Sequence, residues 1–158
     1  MGDKLTAKQY LGQAYKIDRR IKITLAKAEK MRSALEYKSP SFNGTGGGNS
    51  DKSAQLADTI AKIDEYEKRA DELVNLLIDR RLEIERAIEG IDNPVEREIL
   101  ERRYLLYQSW ESHYDAVSCE YIKGIAESMG YSQRRVFQLH GEALKKINVP
   151  CKDCSKLQ

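Results

Sequence analysis

The chain contains few aromatic residues and few residues that cross-link or break a fold. Its 158 residues include one Trp, two Phe, three Pro and three Cys, and aromatic residues make up 8%. Three cysteines cannot supply the disulfide framework of a small secreted domain. No apolar run is long enough to span a membrane, and no segment has the pattern of a signal peptide. We therefore expect a protein of a reducing cytoplasm, with no membrane partner.

Charged residues are abundant, at 33% of the chain, while the net charge is only +2. Residues 1–37 carry 9 basic and 4 acidic side chains, and residues 52–93 carry 7 and 11. Residues 94–121 carry 3 basic and 6 acidic side chains, and residues 122–158 carry 7 basic and 3 acidic ones. This segregation predicts an internal pairing of a basic and an acidic helix, plus a basic surface near the end of the chain.

The first long segment, residues 4–37, contains no proline, and Gly12 is its one glycine. Apolar side chains recur there every three or four positions, which is the spacing of one face of an α-helix. We predict one helix of about 45–50 Å, with Thr6 as N-cap and Gln9 completing a capping box. The stripe comprises Leu11, Ala14, Ile17, Ile21, Leu25, Ala28, Met31 and Leu35.

A glycine-rich segment, residues 38–51, separates that helix from a heptad pattern over residues 52–91. The segment predicts a flexible surface loop that lets the chain reverse. The heptad pattern predicts a coiled coil, folded back antiparallel on the first helix. Its main series is Leu56, Ile63, Ala70, Leu77, Ile84 and Ile91; a second seam contains Ile60, Val74 and Ile88, interrupted by Glu67 and Arg81.

A pair of helices has a thin core, so we expect a third helix or a second subunit to cover its remaining apolar edge. Residues 4–92 are thus predicted to be a helical hairpin that serves as an oligomerisation module. The sequence Asp92-Asn93-Pro94 ends it, because Pro94 suits the first position of a new helix. Residues 95–107 then continue as the first helix of a second domain, residues 94–148, followed by a frayed tail, residues 149–158.

Residues 122–147 read as two short helices about a turn. Gly130 ends the first helix, since glycine readily takes the left-handed conformation of a helix C-terminus, and Ser132 is a good N-cap for the second. The pattern of a first helix, a tight turn and a second helix with basic and amide side chains is typical of the helix-turn-helix of DNA-binding proteins. The apolar stripes contain Ile122, Ile125, Ala126 and Met129 in the first helix and Val136, Leu139, Ala143, Leu144 and Ile147 in the second.

These residues resemble region 4 of the bacterial primary-type sigma factors. The likeness lies in Ile125-Ala126 with Met129-Gly130-Tyr131-Ser132, and in Arg135-Val136, Gln138-Leu139 and Ala143 to Ile147. Ile99-Leu100 with Arg102-Arg103-Tyr104 resembles the preceding helix, and residues 6–15, TAKQYLGQAY, resemble the opening of small phage-encoded regulators of Gram-positive bacteria, the ArpU/RinA type. The resemblance implies an all-α protein that regulates transcription in the cytoplasm of a bacterial host.

One stretch, residues 108–121, departs from that family. Trp110 lies about a dozen residues earlier than in the relatives, by the resemblance. Either a loop or turn of helix is inserted here, or the first helix of the motif starts earlier.

The second helix of the motif supplies the candidate DNA contacts. We expect Arg134 to pair with guanine, Gln133 or Gln138 to pair with adenine, and Phe137 to pack on a thymine methyl group. The resemblance implies base reading at the same four positions. Phosphate contacts, which set position without reading sequence, are assigned to Lys123, Ser132, Arg135, Lys145 and Lys146.

Other chemistry-bearing residues give weaker signals. Cys151 and Cys154 have metal or redox spacing, but a structural zinc site needs four ligands, so we predict no metal and no cofactor. His140 is either a phosphate contact or a half-buried packing residue. No Gly-rich phosphate loop follows a strand, and we predict no enzyme.

Three functions follow from this pattern. The first is a sequence-specific DNA-binding transcription regulator, a phage late-gene activator that binds double-stranded DNA as a homodimer and touches host RNA polymerase. The second is a DNA-packaging protein like the terminase small subunit, since those also join a helix-turn-helix to oligomerising helices. The third is a protein-binding adaptor that contacts RNA polymerase without reading DNA.

Overall fold

The computed structural model describes residues 5–37 and 49–150. This part of the chain is predominantly helical, as predicted, with two short strands. It divides into two compact units. One is Lys16–Leu77, and the other combines residues 5–15 with residues 78–150. None of its helices is both long and apolar enough to cross a membrane.

The N-terminal segment forms two helices where the sequence predicted one. Helix α1, Ala7–Leu11, begins with the predicted capping box. The Thr6 hydroxyl accepts a hydrogen bond from the backbone N–H of Gln9, and the Gln9 side-chain oxygen accepts one from the backbone N–H of Thr6. Gly12 ends α1, and α2 follows as Gln13–Tyr37. The prediction of one helix was therefore wrong at Gly12, because the apolar spacing continues across this residue although the helix ends there.

Helix α3 is Asn49–Glu89, so it begins within the predicted loop; residues 38–48 lie outside the described residues. The unit Lys16–Leu77 has a small core formed by apolar side chains of α2 and α3. Lys27 lies over the ring of Tyr66, and Arg32 pairs with Glu67. The buried side chains of this small core are Ile21, Ala28, Ile63, Ala70 and Leu73.

Burial varies along both predicted seams of α3. The main series is buried at Ile63, Ala70 and Ile84 but is 48% exposed at Leu56. In the second seam Ile60 and Val74 are 53% and 39% exposed, whereas Ile88 is fully buried. Neither predicted seam is therefore covered along its whole length.

The predicted pairing of a basic with an acidic helix is largely absent from the described residues. Arg32–Glu67 is the one ion pair that joins α2 to α3 there. The remaining ion pairs of these helices link residues three or four apart, such as Lys22–Asp18 and Lys62–Asp58. The excess positive charge of α2 therefore stays at the surface.

The second unit continues with α4, Pro94–Leu100, which runs into a π-helical turn, Glu101–Leu105. The Asn93 side chain caps α4 by accepting from the backbone N–H of Val95 at 3.0 Å, and Pro94 occupies the first turn, as predicted.

A two-stranded antiparallel sheet follows where the sequence predicted only helices and loops. Strand β1 is His113–Asp115 and β2 is Glu120–Ile122, with Tyr114 directly opposite Tyr121. In the turn between them, the backbone N–H of Val117 and the Ser118 side chain donate to Asp115, and these bonds lower the pKa of its carboxyl group. Ile122, predicted to lie in the first helix of the motif, is in β2.

Helices α5, Ile125–Met129, and α6, Gln133–Lys146, complete the unit. Ile99, Ile125, Val136 and Leu139 form a buried cluster in this unit. The unit also buries Tyr10 and Leu11 near its N-terminal end and Ile84 and Ile88 of α3. Because these elements share one core, the compact units divide at residues 15 and 77 rather than at the expected boundary of 92–94.

Candidate nucleic-acid interface

The turn between α5 and α6 is built by two residues that the sequence singled out. Gly130 ends α5 with φ 69°, a left-handed conformation that glycine takes at little cost. The backbone N–H of Tyr131 donates to the Ala126 carbonyl at 3.0 Å, which closes the turn. Ser132 then caps α6, its hydroxyl accepting from the backbone N–H of Arg135 at 3.3 Å. Local chemistry therefore fixes where the second helix starts.

The aliphatic side of α6 is sequestered. Val136, Leu139 and Ala143 are at most 4% exposed, and Ile147, just after the helix, is 7% exposed. Val95, Trp110, Ala126 and Met129 pack around this core from other elements. One face of α6 is thus held by the unit, which leaves the opposite face free to contact a partner.

All four predicted base-contacting residues are exposed on α6. Arg134 forms no hydrogen bond or ion pair within residues 5–37 and 49–150. Gln138 lies one turn on, and its amide donates to Glu142 at 3.0 Å. A side chain built at Gly141 would meet nothing within 4 Å. Arg134, Gln138 and Gly141 therefore form an open strip opposite the buried side.

Gln133 and Phe137 lie on a flank of that strip and already have partners. The Gln133 amide donates to Glu111 at 3.2 Å. The ring of Phe137 is 48% exposed and lies 5.1 Å from that of Trp110, centroid to centroid. These contacts cover part of the flank, so Phe137 would reach a thymine methyl group only with Trp110 beside it.

Trp110 joins a small aromatic cluster beneath this flank. Its ring lies edge-on to His140 at 4.8 Å, and the Arg103 guanidinium lies 4.9 Å from its centroid. Gln108 ties the same segment to α5, because its amide donates to Ser128 and to the Lys123 carbonyl, each at 2.8 Å. Hydrogen bonds of Gln108 thus hold the segment before α5 against the motif.

His140, which the sequence left open between two roles, is a packing residue. It is 9% exposed, and a hydrogen bond of 3.1 Å joins its Nε2 to the Tyr104 hydroxyl. Burial lowers the pKa of His140 to about 4, with smaller contributions from the charges of Lys8 and Arg103. The imidazole is therefore neutral near pH 7 and offers no charge to a phosphate.

The predicted phosphate-contacting residues fall into two groups. Lys123, Arg135 and Lys145 have exposed side chains. The Ser132 hydroxyl is used as the N-cap of α6, and Lys146 donates to both carboxylate oxygens of Glu96 at 2.8 Å.

Sequence reasoning missed the pairing of Glu96 with Lys146, since the two residues are 50 positions apart. Glu96 is 2% exposed, and the Asn93 amide also donates to it at 3.2 Å. Nothing local in the sequence signals a buried carboxylate at this position. Its pairing gives Lys146 a structural role that the phosphate prediction did not include.

Among the described residues, no three His, Cys, Asp or Glu side chains come together as metal ligands, and Cys151 and Cys154 lie outside those residues. Comparisons with protein-family models, curated proteins and solved structures found no match to this chain.

Proposed function

We propose that this protein is a sequence-specific regulator of transcription that binds double-stranded DNA, with α5 and α6 as a helix-turn-helix. The domain is residues 94–148, and α6 is the helix that enters the major groove. The sigma-region-4-like motif supports a phage late-gene activator, acting in the bacterial cytoplasm with host RNA polymerase as a further partner.

The open strip on α6 carries this proposal. In the first turn of the helix, Arg134 presents a guanidinium that has no hydrogen bond or ion pair among the described residues. Recognition helices contact base edges from this turn. A guanidinium can donate two hydrogen bonds to O6 and N7 of guanine, and an amide such as that of Gln138 can pair with adenine. With the aliphatic side buried, this face is the one that α6 can offer to a groove.

The surrounding cations support the same orientation. Lys123, Arg135 and Lys145 are exposed near the motif, and Lys145 lies on the same side of α6 as Arg134. Contacts of this kind hold a protein in register on the phosphate backbone.

Exposed apolar side chains in the unit Lys16–Leu77 support a homodimer. Leu25 of α2 is 47% exposed, and Leu56, Ile60 and Val74 of α3 are 48%, 53% and 39% exposed. A second copy that packs against these side chains would bury them and give one complex two recognition helices. Two half-sites give more affinity and specificity than one.

Selection of bound duplexes from a random library, with the purified full chain, tests the proposal. We expect a palindromic consensus with a conserved guanine in each half-site, bound at least about 10³-fold more tightly than scrambled DNA. A selected pool without any consensus would contradict sequence reading.

The turn between β1 and β2 favours a second candidate function, a protein-binding adaptor. Val117 is 94% exposed, and the facing pair Tyr114 and Tyr121 are 63% and 58% exposed. Such side chains suit a protein surface better than a phosphate backbone. Binding of RNA polymerase that persists in Arg134→Ala but is lost in Val117→Asp would support the adaptor.

A further inference from the structure

A row of cations lies along one side of α2, remote in sequence from the helix-turn-helix. Counted from the first, the other members lie three, four, eleven and fourteen positions along the chain. At 3.6 residues per turn, residues with these offsets lie within one side of an α-helix. Ile23, which is 52% exposed, is the apolar residue within the row. The basic stripe, as we call it, comprises Lys16, Arg19, Arg20, Lys27 and Lys30, all exposed.

The charge of the basic stripe is not neutralised within the described residues. The acidic residues Asp18 and Glu29 lie on another side of α2, where they pair with Lys22 and Arg32. None of the five stripe residues forms an ion pair in residues 5–37 and 49–150. Lys27 has the ring of Tyr66 at 5.9 Å, a contact that leaves its charge in place. Five positive charges therefore remain along one edge.

Packing does not account for the basic stripe. The buried residues of α2, Ile21 and Ala28, face away from it, and Leu25 lies on the far side of the helix. A second copy that covers Leu25 would therefore leave the stripe uncovered. Solubility alone would be served by cations scattered among carboxylates, as they are on the rest of α2 and on α3.

We infer that the basic stripe of α2 binds the phosphate backbone of duplex nucleic acid, independently of base sequence. From Lys16 to Lys30 the helix rises by about 21 Å. A duplex carries one phosphate per about 3.4 Å of each strand, so this length matches roughly six base pairs. A rigid row of cations along a helix is complementary to such a repeating row of negative charge.

An acidic membrane surface is a poorer match. A helix that lies in a membrane interface needs a broad apolar face beside its cations. Ile21 and Ala28 of α2 are buried, Leu25 lies on the far side of the helix from the stripe, and Ile23 is the one apolar residue among the cations.

The inference does not depend on sequence reading by α6. The basic stripe would increase affinity for any duplex and would hold a bound chain over a longer stretch of DNA. Such contacts make binding steeply dependent on salt, because each neutralised phosphate releases counterions.

The test compares two variants of the full chain on a mixed-sequence duplex of about 40 base pairs, over about 50–200 mM salt. In the stripe variant the five cations become Gln, which keeps high helix propensity. The control replaces five cations that already have carboxylate partners, Lys22, Lys62, Lys68, Arg80 and Arg102, with Gln. Circular dichroism verifies that both variants remain helical.

For the stripe variant we expect the plot of log affinity against log salt to become shallower by about four, because each lost phosphate contact contributes about 0.9. The control, with the same net charge, should keep nearly the slope of the unsubstituted chain. Equal slopes in all three proteins, or an equal decrease in both variants, would overturn the inference. Binding to phosphatidylserine vesicles without binding to the duplex would also overturn it.

The two proposals fail separately in these experiments. If library selection finds no consensus but the stripe variant loses its salt dependence, only sequence reading by α6 is wrong. If a consensus is found and the stripe variant keeps the original slope on both operator and scrambled DNA, only the stripe inference is wrong.

Discussion

The indole ring of Trp110 lies 5.1 Å from the ring of Phe137, centroid to centroid, with the two planes inclined at 55°. This contact joins the segment before the β1–β2 turn to the exposed side of α6. It covers one flank of the helix and leaves the strip that begins at Arg134 open. The segment at Trp110 therefore shapes the proposed reading surface.

Trp110→Ala should destabilise the second unit. The indole contacts Phe137, His140 and Arg103 together, and its loss opens a gap beside a buried cluster. Because the ring is only half-buried, we expect the free energy of unfolding to fall by about 2 kcal/mol. This is less than the roughly 3–5 kcal/mol lost when a fully buried aromatic residue is changed to alanine. Urea unfolding measures the change, with Tyr114→Ala, at a 63% exposed ring, as control. Equal, small effects of both changes would contradict the structural role of Trp110.

Stability should fall as the pH is lowered from about 6.5 to about 4, through His140. Burial lowers the pKa of His140 to about 4 in the folded protein, against about 6.5 in the unfolded chain. Between these values the unfolded state binds a proton that the folded state does not, which favours unfolding by at most about 3 kcal/mol. Above pH of about 6.5 both states are neutral at this group and the effect disappears.

Urea unfolding at several pH values checks this, with His140→Gln as the comparison. The variant should lose the part of the pH dependence between about 6.5 and about 4, while the acid loss caused by carboxylates remains. A pH dependence unchanged by the substitution would show that His140 is not held neutral by burial.

Gly124→Ala should be strongly destabilising although the backbone there suits any residue. A Cβ at Gly124 would lie 2.5 Å from the Trp110 carbonyl oxygen, and that backbone cannot easily move. We expect a loss of about 2 kcal/mol or more, as for other overpacked positions. Gly141→Ala is the matched control with the opposite sign, since its Cβ meets nothing within 4 Å, and it should stabilise α6 by up to about 1 kcal/mol.

Thermal unfolding of the two glycine variants would separate these outcomes. The melting temperature should fall for Gly124→Ala and rise slightly for Gly141→Ala. Two variants that both gain stability would contradict the close approach between Gly124 and the segment at Trp110.

Lys146→Met should cost more stability than Glu96→Gln. The first change leaves a carboxylate that is 2% exposed without its cation, and an unpaired buried charge typically costs about 3–5 kcal/mol. The second leaves Lys146, whose side chain is 51% exposed, free to turn into solvent. Chemical denaturation of both single variants and the double variant measures the coupling, with Lys145→Met as control. Equal costs for the two single changes would contradict the asymmetry.

The elements that the sequence predicted well are those fixed by neighbours a few residues apart. The capping box of Thr6 and Gln9, the Asn93-Pro94 start of α4, the left-handed Gly130 and the Ser132 cap all depend on contacts within one turn. The heptad series located buried positions of α3 at Ile63, Ala70 and Ile84, although Leu56 and Ile60 of the same pattern are exposed.

What the sequence did not predict depends on contacts between distant residues. Glu96 and Lys146 pair across 50 positions, and the sheet β1–β2 lacks the glycine turn that would have signalled it. Its turn instead has Cys119 at φ 55°, an uncommon conformation for a residue with a side chain. The sequence offers little signal for these strands: Tyr114 lies between polar residues in β1, but Tyr121 and Ile122 are adjacent in β2 and show no alternation.

Reading of DNA by α6 is tested most directly by comparing Arg134→Ala with Arg135→Ala on the selected duplex and on a scrambled one. Arg134→Ala should weaken binding to the selected duplex by about 1–3 kcal/mol and relax the preference for guanine at one position, with little change on scrambled DNA. Arg135→Ala, at a proposed phosphate contact, should weaken both complexes about equally. If Arg134→Ala leaves the ratio of the two affinities unchanged, α6 does not read the sequence.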